Sequence, residues 1–254
     1  MKVTVLGCGT SSGVPRIGGD WGACDPGNPR NRRRRVSILV EHDDTAIVID
    51  TGPDFRAQML DAGVKRLDAV LLTHDHADHS HGIDDLRQFY HLSGAPVPCF
   101  ASAATWAVLK ARFAYIFAGT AHYPPTAIAR PLPPRLTIGG LTITPFDQDH
   151  GAVVSTGFRI DAGGASMAYS TDVKAVPLAA HPALKGLDLW IVDALRERPH
   201  PTHSHLSQTL AWIAMFRPAH AVLTHMDQSL DYAMLTATLP AGVEPGYDGL
   251  VVTL

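Results

Sequence analysis

Ala69-Val70-Leu71-Leu72 runs directly into Thr73-His74-Asp75-His76-Ala77-Asp78-His79-Ser80-His81, joining a strand-length apolar run to a loop crowded with imidazoles and carboxylates. Consecutive apolar residues suit a strand covered on both faces, so the histidines occupy the loop at its carboxyl end. His74 and His76, two apart in an extended segment, point to the same side and can present nitrogen to one ion. Asp78 and His79 follow once the chain has begun to turn, and their different directions suit a second ion beside the first. A solvated polar loop whose histidines only cap the next helix is the bland alternative, and HxHxDH behind a buried strand argues against it.

Working outward, short apolar runs recur at 3–6, 36–40, 46–49, 141–144, 189–192 and 221–223. Hairpin signals stand at Gly139-Gly140 and at 161–164, so the sheets are mixed and not purely parallel. Helical patterns cover 54–62, 83–92, 103–113 and 206–216, which predicts a layered α/β architecture with helices outside. The segment 123–135 holds five prolines and reads as an ordered loop or lid. With 254 residues, 46% hydrophobic and 18% charged, the chain reads as a single globular domain over 1–254 and not as a disordered one.

Twenty-four acidic against 21 basic residues give a net charge of −3, which argues against a coat for nonspecific nucleic-acid binding. Cys8, Cys24 and Cys99 are odd in number and far apart, so neither a disulfide framework nor a cysteine zinc ribbon is supported. The segment Met1 to Gly7 is too short in apolar residues for a signal peptide, and no run approaches membrane-spanning length. A cytoplasmic location, with no membrane partner, is the expectation. Fourteen histidines against five lysines remain to be explained.

Thr73 to His79 resembles the signature of the metallo-β-lactamase superfamily. The resemblance implies a four-layer αββα sandwich with two mixed β-sheets and the metals between the sheet ends. It also implies further ligands at strand ends: His150 in Phe146-Asp147-Gln148-Asp149-His150, Asp172 in Tyr169-Ser170-Thr171-Asp172 as the carboxylate bridging both ions, and His225 in Val222-Leu223-Thr224-His225. The metal set is then His74, His76, Asp78, His79, His150, Asp172 and His225. Asp50, closing Ile47-Val48-Ile49-Asp50, resembles the family's carboxylate that accepts the free ring N–H of a ligand histidine and fixes its tautomer. Asp193, ending Trp190-Ile191-Val192-Asp193, can act similarly or be an ordinary strand-terminal aspartate.

Imidazoles and carboxylates without thiolate favour Lewis-acid chemistry, so the expected cofactors are two divalent ions per chain, zinc or manganese, with iron also accepted. His203, in His200-Pro201-Thr202-His203-Ser204-His205, stands 22 residues ahead of His225. That arrangement resembles the phosphodiesterase branch, which includes phosphoribosyl cyclic phosphodiesterase and tRNase Z and has a histidine here that contacts the phosphate and the bridging Asp as general acid. Leu6-Gly7-Cys8-Gly9-Thr10-Ser11-Ser12-Gly13-Val14-Pro15 resembles the opening of the same enzymes. Their cyclic phosphodiesterase group often has a cysteine-rich structural zinc site nearby, of which only Cys24 is retained here. Arg30, Arg32, Arg33, Arg34 and Arg35 read either as a solvated basic turn or as a phosphate-attracting patch.

The resemblance implies hydrolysis of a phosphodiester, a small cyclic phosphate such as ribosyl 1,2-cyclic phosphate or a 2′,3′-cyclic nucleotide, by attack of a metal-bridging hydroxide with Asp172 and His203 as catalytic residues. Rivals are tRNA 3′ processing, which needs an RNA-gripping insertion not evident here, thioester or lactone hydrolysis, and a metal-binding biosynthetic accessory role. The expected partner is a small phosphodiester, without a stable nucleic-acid complex. Base rates point to a homodimer.

Overall fold

The computed structural model describes residues 1–254. One seven-stranded sheet takes β1 (Lys2–Gly7), β2 (Ser37–His42), β3 (Thr45–Ile49), β4 (Ala69–Leu71), β5 (Val97–Ala101) and β6 (Ala127–Pro131). The second takes β7 (Leu136–Ile138), β8 (Leu141–His150), β9 (Val153–Ala162), β10 (Ala165–Ser170), β11 (Leu189–Asp193), β12 (His220–Thr224) and β13 (Val243–Pro245). β14 (Val251–Thr253) returns to the first sheet beside β1, giving the orders β14-β1-β2-β3-β4-β5-β6 and β13-β12-β11-β10-β9-β8-β7. Both sheets are mixed: β1, β2 and β3 pair antiparallel while β3, β4, β5 and β6 run parallel, and β7 to β10 are antiparallel while β10 to β13 run parallel.

Side chains alternate across each strand, and here both faces are apolar. On the first sheet Ile38, Val40, Ile47 and Ile49 face the second sheet and meet Ile143, Phe158, Ile160 and Met167. Leu39, Val48, Val70 and Leu72 face outward onto Phe55, Leu86, Trp106 and Leu109. Those partners lie on α1 (Phe55–Asp61), on α3 (Leu86–Ser93), which follows the single turn α2 (Ala77–Ser80), and on α4 (Ala103–Arg112). α5 (Ala114–Ala118) continues from α4. Beyond the second sheet, Ile213 and Phe216 of α6 (Leu206–Phe216) pack on the fully buried Trp190, with ring centroids of Trp190 and Phe216 5.6 Å apart. α7 (Tyr232–Thr238) precedes β13. The result is the expected αββα sandwich, and truncating Trp190 to alanine would cost about 3–5 kcal/mol. No helix is long and apolar enough to cross a membrane.

The proline-rich segment 123–135 is not the loop or lid expected from its composition. It contains β6, which pairs in parallel with β5 as the last strand of its sheet. Proline is tolerated there because an edge strand has one row of backbone groups with no ladder to complete. The helix expected over 83–92 begins as a 3-10 turn over Ile83–Asp85 and continues as α3.

Candidate metal centre

The site lies where strands of both sheets end. Asp50 follows β3, the histidine loop follows β4, His150 ends β8, Asp172 follows β10, Asp193 ends β11 and His225 follows β12. Asp50, Asp172 and His225 have φ of +67°, +53° and +58°. That left-handed backbone is costly for side-chain-bearing residues, and such strain concentrates at functional sites. At each strand end it breaks the ladder and turns the next side chain away from the alternating pleat.

The structure brings together all seven residues expected as ligands. Donor atoms of His74, His76, His150 and Asp172 lie within 4.8 Å of one another, and so do those of Asp78, His79 and His225. Asp172 stands between the two groups. Its Oδ2 is 3.3 Å from Nε2 of His150 and 3.7 Å from Nε2 of His74, while its Oδ1 is 3.1 Å from Nε2 of His79 and 3.3 Å from Nε2 of His225. Asp78 Oδ2 is 3.4 Å from His79 Nε2 and 3.6 Å from His225 Nε2. His76, with Nδ1 3.4 Å from Nε2 of His150, has the one exposed side chain of its group and marks the open side of the cup.

Hydrogen bonds behind the cup fix which nitrogen faces it. His79 Nδ1 donates to Asp50 at 2.7 Å, and His150 Nδ1 donates to the carbonyl of Thr202 at 2.7 Å. The Thr73 hydroxyl donates to Asp50 at 2.9 Å, so its oxygen is left to accept from His74 Nδ1 at 2.9 Å. Each ring therefore turns Nε2 inward. Yet Nε2 of His74, His79 and His225 is buried without a hydrogen-bond partner. Orphaned buried nitrogens are expensive, and several converging on one carboxylate fit a cation between them. Nitrogen and oxygen donors without thiolate suit zinc, manganese or iron.

The electrostatics agree. Burial pushes Asp172 up, but His225 and His79 outweigh it and hold its carboxyl well below the usual range. Burial likewise opposes the charged form of His225, and Asp172 and Asp78 nevertheless push it up to about 9. His74 goes the other way, pushed well down by burial and by His79. Asp50 is raised by burial, with its bonds to His79 and Thr73 opposing.

His203 borders the same cup, with Nε2 3.7 Å from Asp172 Oδ2. Its Nδ1 donates to Asp193 Oδ2 at 2.9 Å. Asp193, ambiguous in the sequence, is thus the carboxylate that orients His203, and it is fully buried. His200 stays at the rim with its ring 5.1 Å from that of His203, and His205 is the residue before α6. His81 packs edge-on against Phe113, 5.4 Å between centroids.

The arginine run is divided between the interior and the surface. Arg33 is buried inside the protein, Arg34 and Arg35 pair with Asp61 and Asp54, and Arg30 lies over Tyr232 and Tyr247. Arg32 lies over Trp21. The buried Cys24 thiol donates to the carbonyl of Leu230 at 3.5 Å.

The model of the beta-lactamase superfamily domain matches residues 45–226. A solved structure of a diphosphatase from the PhnP family is 37% identical, covers 100% of this chain and 97% of its own, and superposes with a TM-score of 0.91. An octanoyltransferase of Porphyromonas gingivalis (strain ATCC BAA-308 / W83) is 34% identical over 258 residues, which is 98% of this chain and 51% of that protein. A ribonuclease Z of Bradyrhizobium sp. (strain ORS 278) is 33% identical over 137 residues, 52% of this chain and 45% of that protein. The chain spans about half the length of these two curated relatives or less.

Proposed function

The chain belongs to the beta-lactamase superfamily domain family, and on that premise we propose that it is a metal-dependent hydrolase that cleaves a phosphodiester, a small cyclic phosphate such as ribosyl 1,2-cyclic phosphate or a 2′,3′-cyclic nucleotide. The observation that carries this reading is the pair of His203 and Asp193 beside Asp172. A phosphodiester expels a poor leaving group, an alkoxide, and needs a proton delivered to it. A thiolate leaves without one, so thioester hydrolysis gives His203 no task.

In this reading His74, His76 and His150 would hold one ion and Asp78, His79 and His225 the other, with Asp172 available to both groups. Divalent ions there would supply Lewis acidity toward water and toward a phosphoryl oxygen. The protein's own part is positional and protonic. Asp50 and Thr73 hold the rings of His79 and His74, and Thr202 holds that of His150. Asp193 occupies the Nδ1 proton of His203, so the proton His203 gives up is the one on Nε2, which faces the cup. As water forms the new O–P bond and releases one of its own protons to solvent, the old P–O bond breaks, the Nε2 proton passes to the leaving oxygen, and His203 is left neutral until it takes up a proton from solvent.

A second reading is favoured by the 37% identical diphosphatase: hydrolysis of a diphosphate in the same cup. Its leaving phosphate needs less protonation, so His203 would matter less. A panel of 2′,3′-cyclic nucleotide, ribosyl 1,2-cyclic phosphate, diphosphate ester, pre-tRNA, thioester and lactone tests both. Preference for a cyclic phosphodiester supports the first reading. Failure to cleave any phosphodiester with zinc, manganese or iron present overturns it.

A further inference from the structure

The turn that follows His225 is gripped from within by the amino-terminal segment. Arg33 is 2% exposed, and its guanidinium donates to the carbonyls of Asp227 at 3.0 Å and Leu230 at 2.6 Å. Asn31, fully buried, accepts from the Tyr232 N–H at 2.8 Å and donates to the Asp231 carboxylate at 2.6 Å. The Ala23 N–H donates to the carbonyl of Gln228 at 2.9 Å. A guanidinium taken out of water is costly unless its donors are met, and here Nη1 and Nη2 bond to backbone oxygens three residues apart while Nε is left without a partner. Only a rigid fork spans such a pair, which a lysine ammonium cannot reproduce in full.

His225 is the residue for which such a grip matters. The other buried imidazoles of the site, at 74, 79, 150 and 203, are each oriented by a bond at Nδ1. His225 has neither ring nitrogen hydrogen-bonded. Its ring lies nearly parallel to those of His203, 4.7 Å away, and His79, 5.9 Å away, so it is packed by stacked rings and not oriented by a hydrogen bond. Its backbone is left-handed, and the turn after it is held from several sides: the Met226 N–H donates to the Cys8 carbonyl at 2.9 Å, the Met226 carbonyl accepts from the Thr10 N–H at 3.2 Å, the Asp227 N–H donates to the Leu195 carbonyl at 2.9 Å, and Arg33 takes the carbonyls of Asp227 and Leu230.

We infer that Arg33 is a positioning residue for His225: by fixing the carbonyls of Asp227 and Leu230 it sets the imidazole against Asp78 and Asp172, a job done by hydrogen bonds to the ring at the other histidines. The inference rests on the two-ion reading of the cup. It also gives Arg33 a role away from substrate, with Asn31 at the end of a 3-10 turn and Arg33 both buried and Arg32 between them exposed.

Cobalt(II) titration of the full chain, followed by d–d absorption and calorimetry, tests it. The wild type should take up two equivalents. Arg33→Met should keep one equivalent and bind the other about tenfold or more weakly, the scale of losses on removing groups that orient ligands. Arg33→Lys should recover part of that affinity, and Asn31→Ala should shift the same equivalent by less. Two equivalents at wild-type affinity in both Arg33→Met and Asn31→Ala overturn the inference, as does equal weakening of both ions. Should Arg33→Met fail to fold by circular dichroism, Asn31→Ala decides on the same criterion. Fewer than two equivalents in the wild type overturns the two-ion reading itself, and the inference with it.

Discussion

Nδ1 of His203 and Oδ2 of Asp193 are 2.9 Å apart, and the same Asp193 oxygen accepts the backbone N–H of Val173 at 3.1 Å. Val173 directly follows Asp172, so one buried carboxylate registers the proposed proton donor against the carboxylate at the centre of the cup. Asp193→Asn keeps the shape and puts an amide where the acceptor was, favouring the wrong tautomer of His203. The expected outcome is a fall in kcat on the order of 10²- to 10⁴-fold with metal content unchanged. Loss of metal in parallel with activity would refute the orienting role.

His203→Ala should discriminate between leaving groups. Against a substrate expelling p-nitrophenolate the loss should be about tenfold or less, and against one expelling an alkoxide on the order of 10²- to 10⁴-fold, because only the second needs the proton. Equal losses on both substrates would remove His203 from proton transfer.

Asp50 accepts from Thr73 and from His79 and touches no expected ion position directly. Asp50→Asn should weaken metal binding about 10- to 100-fold, measured by competition with a chelator. Unchanged affinity would make Asp50 a purely structural strand end.

Asp248 is not among the cup's donor residues and carries a different signature. Burial pushes its carboxyl up to about 7, against the backbone N–H of Arg34, which donates at 2.8 Å. The folded protein thus binds this proton more tightly than the unfolded chain, whose aspartates titrate near about 3.9. The stabilisation is complete below about pH 4 and is lost as pH rises through about 7. Melting of Asp248→Asn relative to wild type should therefore shift in favour of the variant between pH 5 and pH 8. A difference independent of pH would refute the raised value.

Much of this was legible in the sequence because the site sits on strands with continuous apolar runs. Ala69 to Leu72 and Leu189 to Val192 announce buried strands, and the polar residues after them announce their ends. β5 was obscured by Pro98 inside Val97-Pro98-Cys99-Phe100-Ala101, and β6 by the prolines around it, which composition assigns to loops. Asp193 was ambiguous because a strand-terminal aspartate looks the same whether it caps a turn or holds a histidine ten residues later. Arg33 was hidden by its neighbours: in a run of arginines the alternation between inside and outside has no hydrophobic label.

The division of the cup between the two sheets has a kinetic consequence. Asp50 and the histidine loop belong to one sheet, whereas His150, Asp172 and His225 belong to the other. A chain with only one sheet formed holds only part of the donor set, so both groups are complete only once the layers have docked. Bound ions then behave as a staple between layers: they slow unfolding and leave the refolding rate nearly unchanged. Such a protein would lose half-life, not folding speed, when its metal is taken away.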